Sequence, residues 1–213
     1  MILLVGGEKG GTGKTTIATN LAAMRERSGE ILLLDTDLQG SATYWRRSRN
    51  EGFPTSGMHC LQMFGEVDLE VRRLADKFDD IIIDAGGRDS DEIRSALLVA
   101  DKAIIPVQPS QYDIWTIDSM AKIVRSAKVM NKSLEAWVVI SRASTNPSVA
   151  EVEEAKEVMD DFESLGLCES IIRERIAYRK AARYGMAVCE MDAKDQKAIS
   201  EIDGLYKEVF DAG

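Results

Sequence analysis

The chain has 213 residues and a formal net charge of −9; 45% of its residues are hydrophobic and 30% are charged. This composition is typical of a folded globular protein and excludes an intrinsically disordered or collagen-like chain. No apolar run approaches the roughly 20 residues that a membrane-spanning helix needs. The acidic balance, taken as an average, argues against a nucleic-acid-binding protein.

Short apolar runs alternate along the chain with amphipathic segments of helical length. The runs predict strands at 2–5, 31–34, 60–64, 81–83, 103–107 and 137–140. The intervening segments predict helices near 14–28, 66–77, 89–100, 112–131 and 148–164, and the tail from about 171 to 213 is predicted as helices joined by a loop at 185–188. This alternation predicts a single α/β domain over 1–213, a three-layer fold whose mainly parallel sheet has helices on both faces.

The cysteine and histidine content narrows the possible chemistry. Cys60, Cys168 and Cys189 lie far apart and form no Cys-x-x-Cys pair, which disfavours a zinc or iron–sulfur site within the chain. His59 is the only histidine, and this disfavours Ser-His-Asp and Cys-His catalysis. We expect a reducing, cytoplasmic compartment.

A glycine-rich loop joins the first predicted strand to the first predicted helix, where residues 6–16 read GGEKGGTGKTT. Glycines let successive backbone N–H groups face an anion, and the helix N-terminus adds positive partial charge. We therefore predict a phosphate-binding loop for ATP, in which Lys14 reaches the β- and γ-phosphates, Thr15 binds Mg²⁺ and Thr16 holds the α-phosphate. The predicted nucleotide-binding residues of the loop are Gly10, Gly11, Thr12, Gly13, Lys14, Thr15 and Thr16.

The loop departs from the usual Walker A pattern because Glu8 stands in place of a glycine and Lys9 precedes two glycines. In this it resembles the deviant Walker A loop of the ParA/MinD family of ATPases. Three more segments are similar to motifs of that family, in the same order: LDTDLQGSAT at 34–43, IIID at 81–84 and IPVQPSQYD at 105–113. The chain differs from the family pattern at Leu38, where proline is usual, and at 85–87, where Ala-Gly-Gly replaces prolines. Because it begins at the phosphate loop, it resembles the small, ParF-like branch of partition ATPases.

The resemblance implies that Lys9 reaches across an ATP-dependent homodimer to the phosphates of the partner subunit. Asp37 is our candidate for orienting the attacking water, so the predicted catalytic residues are Lys9, Lys14 and Asp37. The predicted Mg²⁺ site comprises Thr15, Asp35 and Asp84, because these aspartates follow strands at the carboxyl edge of a parallel sheet. The alternative is that the three aspartates only cap the turns that follow them.

Two further nucleotide-binding candidates rest on weaker grounds. The segment 109–113, which begins at Pro109, is predicted to lie beside the adenine or at the edge of the dimer. Arg142, after the strand predicted at 137–140, is predicted to approach the base or the phosphates. For both, simple packing of a loop is an equally good interpretation.

The segment 173–183 has a net charge of +4, which leaves −13 on the rest of the chain. In the resembling family, C-terminal basic residues bind DNA without sequence specificity. The predicted DNA-binding residues are Arg173, Arg175, Arg179, Lys180 and Arg183, and we expect salt-sensitive binding in the ATP-bound dimer. The alternative is a solvated helix face. A lesser candidate is the cluster of Arg46, Arg47 and Arg49 beside Trp45.

Together these features predict a slow ATPase switch that positions or segregates DNA, located in the cytoplasm on the nucleoid, with a centromere-binding or cargo-adaptor protein that stimulates hydrolysis. Three alternatives stay open. The first is that the same switch positions a non-DNA cargo such as a protein compartment. The second is a MinD-like membrane ATPase, which the acidic end at 201–213 disfavours. A P-loop metabolic enzyme is the alternative from another class.

Overall fold

The computed structural model describes residues 1–53, 56–87, 90–109, 111–146, 150–159 and 162–211. The strands are β1 (Ile2–Val5), β2 (Ile31–Asp35), β3 (His59–Gln62), β4 (Asp80–Asp84), β5 (Lys102–Val107), β6 (Glu135–Ala143) and β7 (Gly166–Arg173). The helices are α1 (Lys14–Arg25), α2 (Ser41–Gly52), α3 (Asp68–Leu74), α4 (Asp91–Leu97), α5 (Gln111–Met130), α6 (Glu151–Met159), α7 (Ile176–Arg183) and α8 (Gln196–Phe210). A 3₁₀ turn at Val188–Glu190 lies between α7 and α8.

All described strands belong to one seven-stranded sheet in the order β3-β2-β4-β1-β5-β6-β7, and every pairing is parallel. Strands β2 and β4 are buried along their whole length, because helices cover both faces of the sheet. Helices α3, α4, α5 and α6 contribute to one core, and α1, α2, α7 and α8 to the other. The predicted three-layer α/β fold is confirmed.

All six predicted strands and all five predicted helices are present, with α1, α3 and α4 shorter than predicted. Residues 148, 149, 160 and 161, at the ends of the predicted helix 148–164, lie outside the described part of the chain. The prediction for the tail was wrong at its start, because 171–173 belong to β7. The polar residues Glu169 and Ser170 interrupt the apolar pattern of β7, which obscures the difference between strand and helix.

Helix α2 is a second element that the sequence did not predict. Its buried positions are Ala42, Trp45 and Arg49, so a charged residue occupies one third of its inner face. The apolar periodicity that identifies an amphipathic helix is therefore weak in this segment.

The strand register brings the site residues together at the carboxyl edge of the sheet. Asp84 is paired with Asp35 on one side and with Val5 on the other. The glycine-rich loop begins immediately after Val5, so Asp84 lies next to it and Asp35 lies one strand further away. Ligands of open parallel sheets bind at this edge.

Candidate nucleotide-binding site

The phosphate loop passes from β1 into α1 through a tight turn at Gly13. Gly13 has a φ of 93°, in the left-handed region, and a Cβ at this position would lie 2.8 Å from Ser141 Oγ. Glycine is therefore required there on two counts. Because Gly13 is also the N-cap of α1, no side chain of that residue covers the first N–H groups of the helix, which remain available for an anion.

A cavity of about 380 Å³ lies over this loop. The predicted loop residues that line it are Gly10, Gly11, Gly13, Lys14, Thr15 and Thr16. Thr12 is instead buried, and its hydroxyl donates a long 3.5 Å hydrogen bond to the Lys9 carbonyl oxygen. The opposite wall comes from the tail, at residues 172–175 and at Tyr178 and Arg179. None of these tail residues was predicted to contact the nucleotide, and Arg173, Arg175 and Arg179 among them were predicted to bind DNA.

Lys14 is 7% exposed and donates a 2.6 Å hydrogen bond from Nζ to the Lys9 carbonyl oxygen. Burial lowers the pKa of Lys14, although the charges of Asp84 and Asp37 oppose the shift. A phosphate placed in the cavity would give this poorly solvated ammonium group an anionic partner. The half-buried Lys9 thus holds Lys14 through its own backbone carbonyl oxygen. The predicted role of the Lys9 side chain across a dimer stays a prediction.

Thr15 and Asp84 fit the predicted Mg²⁺ site. The Thr15 hydroxyl donates a 2.7 Å hydrogen bond to Asp84 Oδ2, whereas Asp84 Oδ1 is buried without a hydrogen-bond partner among the described residues. Burial, reinforced by the neighbouring Asp35 charge, raises the pKa of Asp84 to about 7, although the hydrogen bond from Thr15 opposes the shift. A buried carboxylate with an unsatisfied oxygen beside a threonine hydroxyl suits a hard divalent cation, which prefers oxygen ligands.

Asp35 and Asp37 are arranged differently from Asp84. Both Asp35 oxygens accept backbone N–H bonds, from Asp37 at 3.1 Å and from Thr43 at 2.8 Å. The structure thus shows Asp35 capping the start of α2, and its predicted place in the Mg²⁺ site stays a prediction. Asp37 lines the cavity, and its Oδ1 accepts the Gln39 N–H at 2.9 Å, which orients the carboxylate. This location is compatible with orientation of a water molecule.

The Ala-Gly-Gly sequence at 85–87 has a steric reason. A Cβ at Gly87 would lie 2.7 Å from the Gly10 nitrogen and 2.9 Å from the Gly10 Cα. The backbone of the phosphate loop packs directly against Gly87, so a larger residue there would displace the loop. The departure from the family pattern was visible in the sequence, but its contact with Gly10 was not.

Arg142 connects the phosphate loop to the tail. Its guanidinium donates a 2.5 Å hydrogen bond to the Gly11 carbonyl oxygen and two bonds, of 2.6 and 3.0 Å, to the Glu174 carboxylate. Gln108 Nε2 donates to the same Gly11 oxygen at 3.0 Å. Arg142 also has a φ of 55°, a left-handed conformation that is uncommon outside glycine. The residue predicted to approach the nucleotide therefore lines the cavity and fixes the loop.

Pro109 is half-buried after β5 and is not among the described residues that line the cavity. Its predicted contact with the adenine or with the dimer edge stays a prediction. Ser110, within the same motif, lies outside the described residues.

The five predicted DNA-binding cations fall into two groups. Arg175 donates a 2.6 Å bond to Glu201 with a side chain only 13% exposed, and Arg173 bonds the Ser144 carbonyl oxygen at 2.6 Å. The other three residues are exposed on α7: Arg179, Lys180 and Arg183. These three cations lie exposed on one helix, whereas Arg173 and Arg175 are held by contacts within the chain, and the contact of all five with DNA stays a prediction.

Arg49 of the lesser basic cluster is not a surface residue. Its side chain is 3% exposed and forms ion pairs with Glu26 at 2.9 Å and with Glu190 at 2.8 Å. Its guanidinium also lies 4.4 Å from the centre of the Phe53 ring. Arg49 therefore joins α1, α2 and the 3₁₀ turn, and the suggestion that it contacts DNA was wrong. Two carboxylates distant in sequence supply its partners, which sequence spacing does not reveal.

Residues 3–188 match the sequence model of the CobQ/CobB/MinD/ParA nucleotide-binding domain. Over 98% of its length the chain is 28% identical to "Maintenance of carboxysome distribution protein A" of Halothiobacillus neapolitanus, and the alignment covers 95% of that protein. It is 32% identical to "Chromosome-partitioning ATPase Soj" of Thermus thermophilus, but only over 49% of this chain and 53% of that one.

Solved structures show the same fold. An ATP complex of a McdA variant from Cyanothece superposes with a TM-score of 0.79 at 19% identity, covering 100% of this chain and 96% of that one. A plasmid partition protein from Borrelia burgdorferi bound to AMPPNP superposes with a TM-score of 0.72, also at 19% identity, covering 98% and 97% of the two chains.

Proposed function

Because the chain belongs to the CobQ/CobB/MinD/ParA family of nucleotide-binding domains, we propose that it is an ATPase that dimerises with ATP and positions a cargo in the cell. The observation that supports this most is the arrangement of one cavity, where Lys14, Thr15 and Asp37 lie together beside the Thr15–Asp84 pair. Phosphoryl transfer needs charge neutralisation and alignment, and these residues supply both.

In this proposal each side chain has one task. Lys14 exchanges the Lys9 carbonyl oxygen for phosphate oxygens, whose negative charge it neutralises. Asp37 orients the water for attack on the terminal phosphate, a task that does not require full proton abstraction by the carboxylate. Thr15 and Asp84 would hold Mg²⁺, which neutralises charge on the phosphate oxygens when bound. Lys9 completes the site of the partner subunit, and this makes dimerisation depend on ATP.

We further propose that the dimer binds DNA without sequence specificity through Arg179, Lys180 and Arg183. All three are exposed on one helix, and in the described part of the chain none forms a salt bridge. Arg173 and Arg175, which are paired internally, add long-range positive charge. The acidic remainder of the chain weakens the binding of a monomer, so two copies of the patch are needed.

The cargo is the finer question. The full-length similarity to a carboxysome distribution protein, against half-length similarity to a chromosome-partitioning ATPase, favours a protein compartment over a DNA molecule as the cargo. An adaptor protein on the cargo would then stimulate hydrolysis. DNA partition is the second candidate, and the fold shared with a plasmid partition protein is compatible with it.

A MinD-like membrane mode is the least supported. The apolar face of α8, formed by Ala198, Ile202, Leu205 and Val209, is buried in the core and so is not available for a lipid surface. None of the helices in the described ranges is both long and apolar enough to cross a bilayer.

The proposal is tested by ATP turnover measured alone, with mixed-sequence duplex DNA, and with the purified adaptor together with DNA. We expect slow turnover alone and stimulation by the adaptor. Fast turnover that neither DNA nor adaptor changes would support a metabolic enzyme instead. Deletion of the gene separates the cargoes: clustered protein compartments in cells that retain their DNA support a compartment, whereas frequent loss of a chromosome or plasmid supports DNA partition.

A further inference from the structure

Helix α2 packs directly beside the exposed cations of α7 that are proposed to bind DNA. A Cβ at Gly185, two residues after α7, would overlap the backbone of Ser48 and Arg49. Arg49 Nη1 also donates a 3.0 Å hydrogen bond to the Gly185 carbonyl oxygen. Both helices cover the same face of the sheet. The exposed side of α2 therefore adjoins the exposed side of α7.

The exposed side of α2 carries a cation on an aromatic ring, and so does the end of α7. The Arg47 guanidinium lies 5.5 Å from the centre of the Tyr44 ring, and Tyr44 is 63% exposed. The Arg183 guanidinium lies 5.8 Å from the Tyr184 ring, and Tyr184 is 54% exposed. Within the described residues, neither arginine forms a salt bridge, so both charges are available to a ligand.

From these observations we infer that α2 and α7 form one continuous surface for double-stranded DNA. We call it the α2–α7 surface; it consists of Tyr44, Arg47, Arg179, Lys180, Arg183 and Tyr184. The inference rests on the proposed function, and it extends the DNA contact from α7 to α2, the helix that packs against Gly185. Arginine and lysine bind the phosphates of DNA, and tyrosine hydroxyls donate hydrogen bonds to the same phosphate backbone. The chemistry of the surface therefore suits a duplex that is bound through its phosphates and not through its bases.

The position of α2 gives this surface a physical link to the nucleotide. Helix α2 begins at Ser41, which lines the nucleotide cavity, and Asp35 accepts the N–H of Thr43 in its first turn. Its other end is joined to the α7 region through Arg49. One rigid helix thus contacts the cavity at its start and supports the DNA surface along its length, so a shift of its first turn would reposition Arg47.

The test compares two charge reversals on opposite faces of the sheet. Arg47→Glu alters the α2–α7 surface, and Arg73→Glu is the matched control, since Arg73 is 75% exposed on α3, which packs on the other core. Affinity for a fluorescent mixed-sequence duplex is measured by anisotropy with ATP and Mg²⁺ over a range of salt concentrations. Circular dichroism and DNA-free ATP turnover, which we expect to be unchanged, report on the fold of each variant.

We expect Arg47→Glu to weaken DNA binding by at least about fivefold and to reduce the slope of log affinity against log salt by about one. Arg73→Glu should match the wild type. Equal binding by Arg47→Glu and Arg73→Glu, with binding lost in the double variant Lys180→Glu and Arg183→Glu, whose side chains do not line the nucleotide cavity, overturns the inference and leaves the proposed function intact. Normal binding in that double variant overturns the proposed DNA contact itself. Arg47-dependent binding to phosphatidylglycerol vesicles in place of DNA also overturns the inference.

Discussion

Thr15 and Asp84, which are 69 positions apart in the chain, are joined by a 2.7 Å hydrogen bond at the carboxyl edge of the sheet. The contact between these two residues follows from the topology. Strand β4, which ends at Asp84, lies next to β1, and the loop after β1 leads into α1, whose second residue is Thr15. One buried oxygen of Asp84 is left without a partner in the described structure. A buried carboxylate oxygen of this kind is costly unless a ligand satisfies it.

Asp84→Asn tests the site assigned to Mg²⁺. The amide has nearly the same shape as the carboxylate but no charge. We therefore expect the gain in ATP affinity on addition of Mg²⁺ to be roughly 10 to 100 times smaller in the variant than in the wild type. Isothermal titration with ATP, with and without Mg²⁺, measures the difference. An undiminished effect of Mg²⁺ in the variant would show that Asp84 has no role at the metal.

Gly87→Ala tests the packing of the phosphate loop. The added methyl group would lie 2.7 Å from the Gly10 nitrogen, so the loop must shift by several tenths of an ångström. We expect ATP affinity to fall by roughly tenfold, since small displacements of binding groups are expensive. Gly57→Ala is the matched control, because no atom lies within 4 Å of its Cβ position. Equal ATP affinity in the two variants would contradict the account.

Lys9→Ala tests the contribution of the partner subunit. We expect the variant to bind ATP nearly as well as the wild type but to remain a monomer, because Lys9 is proposed to contact the other nucleotide. Light scattering with ATP and Mg²⁺ measures the mass. Lys77→Ala is the control, since this exposed residue precedes β4 and lies at the opposite edge of the sheet from the loop. A dimer formed by Lys9→Ala would disprove the role of Lys9 in trans.

Arg49→Leu tests the buried ion pairs that fix α2 against the tail. Removal of the arginine leaves Glu26 and Glu190, which are 12% and 9% exposed, without their cation. We expect the free energy of unfolding to fall by about 3 to 5 kcal/mol. Arg73→Leu is the control, because Arg73 forms an exposed pair with Glu70. It should change the free energy of unfolding by less than about 0.5 kcal/mol. Urea denaturation measures both.

The same variant has a predicted pH signature. Burial alone would raise the pKa of Glu26, but hydrogen bonds from Ser56 and Arg49 outweigh burial and hold its pKa below the ordinary value. A carboxyl group whose pKa is lowered by folding adds stability above its unfolded pKa, and this stability is lost as the pH falls through the folded pKa. The wild type should therefore lose stability more steeply below about pH 4 than Arg49→Leu does. Parallel pH curves for the two proteins would contradict this.

Much of the site was predictable because its signals are local. The glycines, Lys14 and Thr15 are consecutive in sequence, and an aspartate at the end of a buried strand predicts the carboxyl edge of the sheet. The contacts that the sequence did not reveal join distant segments. Arg142 reaches Glu174 and Gly11, and Gly87 meets Gly10, only because the fold places separate loops at one edge.

The same reason explains the errors in the tail and in α2. The strand β7 is defined by its pairing with β6 and by its cover, α8, rather than by its own apolar pattern. Arg49 was interpreted as a surface cation because its partners, Glu26 and Glu190, lie 23 and 141 positions away. Charge alone does not distinguish a solvated arginine from a buried one.

We propose that ATP makes this chain dimerise through the site around Lys14 and Asp37 and that hydrolysis returns the dimer to monomers. The most direct measurement is light scattering of Asp37→Ala with ATP and Mg²⁺, beside Lys14→Ala as the control that does not bind ATP. We predict that Asp37→Ala hydrolyses no ATP and remains a stable dimer, with about twice the mass of a single chain, whereas Lys14→Ala stays monomeric. Normal ATP turnover by Asp37→Ala, or a monomer at saturating ATP, would contradict the account.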